Sequence, residues 1–454
     1  MLSRRQLLRA LPGFGALGSA GCFARLGLVN AYAAPVATGY KALVCVFLFG
    51  GNDSNNAVIP YDAARFDEYT GLRKNLALPM NDALTANVFQ VSSTEQYALH
   101  PSLAELAALM NQEKSLAILA NVGSLVQPTT RAQYIARSAP TPNNLFSHLD
   151  QQTEWQTSNV AGQASTGWAG RLADAVELMN QPSTFPTVVS VAGNAVFGVG
   201  ASTLPATVIP NRALGLRGFG NDTASEARYG ALQALLQLDS GATLVQDAQQ
   251  MMESGIANAD ALGKATTGAP ALTVTFPTSN LGQQLAEVAR IIQVRGSLAM
   301  NRQVFFASQG GYDTHTAQLS TQDTLFKDLS LAIKAFYDQL KDWGIADRVA
   351  LFTESDFTRT LLPNSNGGTD HAWGGHHFIV SGALKSGQAI YGTFPAIAVG
   401  GNDDAGTEGR WIPTTSIDQY GATLATWFGV DSSKLASIFP NLANFPQKSL
   451  GFFG

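Results

Sequence analysis

Apolar and polar positions follow two rhythms along the chain. Residues 41–49 form a continuous apolar run of strand length, ended by Gly50-Gly51-Asn52-Asp53. An unbroken run of that kind predicts a strand covered on both faces that opens into a tight loop. Similar runs predict strands over 115–121, 185–191, 303–308 and 348–353, with a further one over 377–381. Between them the spacing turns helical. His100-Pro101-Ser102 starts an amphipathic helix to about Asn111, with Pro101 and Ser102 as its start signals. Residues 149–157 and 321–343 also read as helices. Strands alternating with helices predict one α/β domain over 34–454, with a mainly parallel central sheet flanked by helices. Residues 204–269 break the alternation: a Pro/Gly-rich loop leads into a helical stretch without a strand. This segment reads as a helical insertion placed over the site.

Composition narrows the class. The 454 residues are 45% hydrophobic and only 13% charged, against about 25% charged in an average domain. The chain is long and apolar enough for a large core, and its Gly and Pro content suits a loop-rich secreted protein. Net charge is −5. The segment before Ala34 holds Arg4, Arg5, Arg9 and Arg25 and no acid. Its removal leaves 28 − 4 = 24 basic residues against 33 acidic, or −9. No basic run remains to grip nucleic acid or an anionic membrane.

That first segment reads as an address. Ser3-Arg4-Arg5-Gln6-Leu7-Leu8-Arg9 carries the twin-arginine pattern, and Ala31-Tyr32-Ala33 supplies a cleavage site, so residues 1–33 read as a signal peptide. A short membrane anchor, or a lipid anchor on Cys22, are the competing readings. No later stretch is apolar enough to span a membrane. The mature chain keeps Cys45 alone, inside the first apolar run, which predicts a buried thiol and excludes Cys-based chemistry. Delivery to the periplasm or the exterior follows.

The chemistry concentrates in the histidines. There are six: His100, His148, His315, His371, His376 and His377. Two of them lie in Gly310-Gly311-Tyr312-Asp313-Thr314-His315 and Asp370-His371, beside Asp and Gly at strand ends, where open parallel sheets bind ligands. Asp53 and Asp356 follow the first and fifth strands in the same way. Asp53, Asp313, His315, Asp356 and His371 therefore read as the ligand set of a divalent metal: zinc, manganese or calcium. Each Asp alone also reads as a turn or helix cap. His376 and His377 are neighbours on a strand, so at most one points into the site.

Several blocks resemble a known family. Leu48-Phe49-Gly50-Gly51-Asn52-Asp53-Ser54-Asn55-Asn56, Phe146-Ser147-His148-Leu149-Asp150-Gln151, Gly311-Tyr312-Asp313-Thr314-His315, Thr353-Glu354-Ser355-Asp356-Phe357-Thr358-Arg359-Thr360 and Gly368-Thr369-Asp370-His371-Ala372-Trp373-Gly374 occur in this order. Together they resemble the signature blocks of the twin-arginine-exported bacterial family called domain of unknown function 1501, placed in the alkaline phosphatase and sulfatase superfamily. The resemblance implies an alkaline phosphatase-like fold and a two-metal hydrolase of a phosphate or sulfate ester, with a Ser or Thr nucleophile and no organic cofactor. A small-molecule ester or an envelope glycan would be the substrate. The superfamily expects a His where Phe357 stands, which leaves one ligand to His376 or His377, or else a single-ion site or no metal at all. Ser147, before His148 at a helix start, is the first choice of nucleophile, and Thr130 the second. Arg359 would bind an oxyanion through its fork. His148 joins Ser147 and Arg359 as a catalytic candidate. The alternative is a non-catalytic relative that binds an envelope ligand or protein.

Overall fold

A computed structural model describes residues 39–454 except 163, 213, 214, 217, 218, 220, 221 and 240. The twin-arginine segment and its cleavage site lie outside the described residues.

The first apolar run forms β1 (Lys41–Leu48), the centre of a nine-stranded sheet. Six further strands matter for position: β2 (Leu116–Gly123), β3 (Val188–Ser190), β4 (Ala206–Thr207), β5 (Arg302–Gln309), β6 (Val349–Ser355) and β7 (Gly375–Val380). Residues Ile390–Gly392 lie outside β2, and the order then runs β2-β7-β6-β1-β5-β3-β4. β1 pairs parallel with both β5 and β6, and β3 pairs parallel with β4 and β5. Only β7 runs antiparallel, between β2 and β6. The fold is thus α/β with a mostly parallel central sheet.

Successive side chains of β1 feed two cores, as the strand period of two requires. Val44, Val46 and Leu48 face α1 (Ala104–Asn111) and the helices Asn280–Gln293 and Gln318–Asp342. Leu43, Cys45 and Phe47 face helices Trp168–Val176 and Ile417–Phe428. Cys45 is buried and free.

The 204–269 segment carries two helices, Thr223–Leu236 and Thr243–Thr266. It also carries the two-residue strand β4, where the sequence predicts none; β4 joins the sheet edge by pairing with β3. The 24-residue second helix buries only Leu262, which joins the core cluster containing Leu281 and Leu285. No helix among the described residues is long and apolar enough to cross a membrane.

Candidate functional site

Loops at the carboxyl ends of β1, β5 and β6 meet the start of α2 (His148–Thr157). Two glycines permit the approach. A Cβ on Gly50, whose φ is +112°, would lie 2.4 Å from the Asp313 backbone nitrogen, and one on Gly368 would lie 2.2 Å from the His315 carbonyl carbon. The Tyr312 amide donates to the Phe49 carbonyl at 3.1 Å, tying the β5 loop to the end of β1. Arg359 and His371 form an isolated antiparallel bridge within the long loop after β6.

Three imidazoles converge on one carboxylate oxygen. Asp313 Oδ1 lies 3.1 Å from His315 Nε2, 3.4 Å from His148 Nε2 and 3.5 Å from His371 Nε2. The Nε2 atoms of His315 and His371 are themselves 3.1 Å apart. Each ring is tethered at its other nitrogen. His148 Nδ1 meets Asp356 Oδ2 at 2.6 Å, His315 Nδ1 meets Asp370 Oδ1 at 3.1 Å, and His371 Nδ1 meets the Phe146 carbonyl at 2.8 Å. All three tethers are acceptors, so every Nδ1 carries the proton and every neutral ring turns an Nε2 lone pair to the centre. His148 Nε2 is buried and has no hydrogen-bond partner.

Three lone pairs and an anionic oxygen at these distances repel one another unless a cation stands among them. The residues therefore fit a metal ion: ligating histidines anchored by carboxylate or carbonyl at the far nitrogen are the usual arrangement. His148, Asp313 and His371 already offer ligand atoms within 4.8 Å of one another.

Charge supports the same centre. Burial pushes the Asp313 carboxyl up, but opposing positive charge, first of all the Arg359 guanidinium 3.0 Å away, outweighs it and holds the group below its usual range. The Asp356 bond raises the basicity of His148 against the effect of burial. Burial lowers His371. Arg359 is fully buried, also donates to the Thr369 carbonyl at 3.0 Å, and leaves Nε without a partner.

The structure thus brings together His148, Asp313, His315, Asp356, Arg359 and His371. Asp356 stands one layer back. It is fully buried and accepts from the Gly50 amide at 3.2 Å, from Gln152 at 2.8 Å and from His148. Asp53 lies apart, because its carboxylate is spent elsewhere. It forms a buried ion pair with Arg73, accepts from Gln318 and caps the short helix Ser54–Ala57. His376 and His377 are buried on β7 and held neutral by burial, both pushed down to about 3. His376 Nδ1 accepts from the Asn121 amide at 3.1 Å, and His377 packs on Trp155. Neither reaches the cluster.

Ser147 occupies the N-cap position of α2, yet its side chain makes no capping bond. Thr130 does cap: with Gln133 it forms a capping box on helix Arg131–Ala136. Two residues with a part in the cluster escaped the sequence reading. Asp370 anchors His315, and Gln152 anchors Asp356. Gln152 lies four residues after His148, on the same helix face, a spacing that links the two.

The family model described as "Protein of unknown function (DUF1501)" matches residues 40–407. No curated protein matches the sequence. Among solved structures, the lipoteichoic acid synthase LtaP of Listeria monocytogenes aligns at 9% identity with a TM-score of 0.34, covering 88% of this chain and 74% of that one. The C-terminal periplasmic domain of EcEptC from Escherichia coli aligns at 10% identity with a TM-score of 0.31, covering 87% and 83%. The phosphonate monoester hydrolase of Agrobacterium radiobacter aligns at 8% identity with a TM-score of 0.31, covering 86% and 74%. Overlaps of this size leave the chemistry to be read from the residues themselves.

Proposed function

The chain belongs to the DUF1501 family, and on that premise we propose that it is an exported, metal-assisted hydrolase of a phosphate or sulfate ester built on a single-ion centre. His148, His315, His371 and Asp313 would hold the ion. One observation carries the reading: three tethered imidazoles turn their Nε2 atoms to one oxygen of Asp313. Three nitrogens and one carboxylate suit zinc or manganese; calcium prefers six to eight oxygens. When bound, such an ion supplies charge to polarise an ester oxygen.

The chain supplies the rest. Arg359 is aimed at the centre from a buried position and would steady a developing oxyanion. The start of α2 offers free amide groups and its dipole to an anion. Ser147 stands there with a hydroxyl not used in capping, and is the proposed nucleophile ahead of Thr130, whose hydroxyl is engaged. Export by the twin-arginine route rests on Arg4 and Arg5. A small-molecule ester or envelope glycan is the proposed substrate.

A second reading draws on Asp53. Its pairing with Arg73 closes a strand-end carboxylate that a two-ion hydrolase would use, and favours a relative that binds an envelope ligand without turnover.

Metal titration followed by hydrolysis assays separates them. We expect about one zinc or manganese per chain, lost in His371→Ala, and cleavage of phenyl phosphate or phenyl sulfate abolished by Ser147→Ala. Metal uptake without cleavage of any ester supports the binding reading. Failure to take up any ion sinks the centre itself.

A further inference from the structure

The charges around the centre select among esters. Resting on the single-ion reading above, we propose that this site takes a singly charged tetrahedral ester, a sulfate monoester or phosphate diester, in preference to a doubly charged phosphate monoester.

Three carboxylates surround the centre. Asp313 faces it directly. Asp356 and Asp370 each stand one imidazole ring away, bound to His148 at 2.6 Å and to His315 at 3.1 Å. All three accept from donors suited to a carboxylate anion: Arg359 for Asp313, the Gly50 amide and Gln152 for Asp356, Asn364 at 3.5 Å for Asp370. Against them stands one guanidinium, Arg359. Arg410 lies beside the cluster loop, and its charge is committed: it pairs with Glu408 at 2.7 Å while its Nε donates to the His371 carbonyl at 2.9 Å.

A divalent ion and Arg359 bring three positive charges, which the three carboxylates cancel. The N-terminus of α2 adds about half a charge. Asp150 in the first turn of α2 opposes even that half charge, so the site offers little surplus positive charge, and a second negative charge on the incoming group is the poorer match. Asp356 and Arg359 are fully buried while Asp313 and Asp370 are half-exposed, so the mismatch is felt chiefly through the buried pair.

Three probes sharing one phenyl group isolate the charge: phenyl sulfate, methyl phenyl phosphate and phenyl phosphate. At pH 8 the last carries two charges, since the second ionisation of a phosphate monoester lies near about pH 6. Binding to the zinc-loaded full chain is measured by calorimetry, which needs no turnover. We expect both monoanions, or the one that is the natural class, to bind about tenfold more tightly than phenyl phosphate; the tighter of the two names the source. Asp370 is half-exposed, so Asp370→Asn should fold. It loosens the tether on His315, so it is read at saturating zinc, where phenyl phosphate should gain about threefold or more relative to methyl phenyl phosphate. Equal or tighter binding of phenyl phosphate by the wild type overturns the inference while leaving the metal centre intact. So does an equal shift of all probes in Asp370→Asn. If the chain takes up no zinc, the single-ion reading and this inference fall together.

Discussion

Asp53 follows β1 and Asp313 follows β5, the strand hydrogen-bonded beside it. Both stand at the carboxyl edge of neighbouring parallel strands, yet they are handled in different ways. Asp53 is buried and locked to the buried guanidinium of Arg73, at the end of helix Ala63–Arg73. Asp313 is half-exposed and faces three imidazoles and Arg359. The partner decides the use. A carboxylate married to an internal arginine is scaffold, whereas one ringed by lone pairs is available to an ion from outside. Glu154 on α2 shows a third solution. With Gln151 as its donor at 2.7 Å and no ion pair at all, burial pushes its carboxyl up to about 8, so it keeps its proton.

The largest effect should come from the locked pair. Arg73→Met strands a buried carboxylate and should cost about 3–5 kcal/mol in a denaturant melt, with much of it recovered by adding Asp53→Asn. A loss below about 1 kcal/mol would show that Asp53 is not locked at all.

Asp313→Ala comes next. The wild type should gain about 2.7 kcal/mol of stability at a free zinc level of about 100 times the dissociation constant, and the variant should gain none. The variant should also lose stability in chelator, because Arg359 is left buried without its carboxylate. Thermal melts with chelator and with zinc read both numbers. A drop of the same size in both conditions would put Asp313 with Asp53 as scaffold.

Asp356→Asn keeps the shape and weakens the tether on His148. Zinc affinity in a competition titration should fall by about 10–100-fold. An unchanged affinity would mean that His148 needs no anchor.

The smallest effect belongs to Glu154. An acid with a raised folded-state value binds more protons folded than unfolded, so it makes stability fall as pH rises, here from the ordinary value of 4.5 toward about 8. Between about pH 7 and 8 that slope is about 1 kcal/mol or less. Glu154→Gln should flatten it in melts across pH. A slope that persists unchanged would assign it to another group, such as Asp418, which burial pushes up to about 7.

The sheet was largely legible because its strands are buried on both faces and read as unbroken apolar runs. Residues 41–49 and 303–308 anticipate Lys41–Leu48 and Arg302–Gln309 closely. The run at 185–191 shrinks to Val188–Ser190. β4 escaped because two residues are too short for a period. Within the cluster, scarcity of histidine drew attention to His315 and His371. His148 reads as a neighbour of the nucleophile until the fold turns its Nε2 to Asp313. The Asp53–Arg73 pair carries no local signal: the partners are 20 positions apart, and a helix ending in arginine is ordinary. Asp370 lies in the block 368–374 next to His371, but that it anchors His315 depends on tertiary packing.

The register of β1 has a consequence for the order of events in the cell. Lys41 pairs with Arg302 and Ala42 with Val349. A ribosome delivers the first strand early, and its two partners only after most of the chain has been made. Until then the most apolar strand has no sheet to join, and closing such long separations is slow. His148, Asp313 and His371 are gathered by the same closure, so their cluster comes into being only with the completed sheet. A newly made chain therefore passes through a period in which its central strand is exposed to aggregation and its histidines are scattered. Any partner that shields β1 until Arg302–Gln309 and Val349–Ser355 emerge would therefore act on the whole sheet and on the histidine cluster at once.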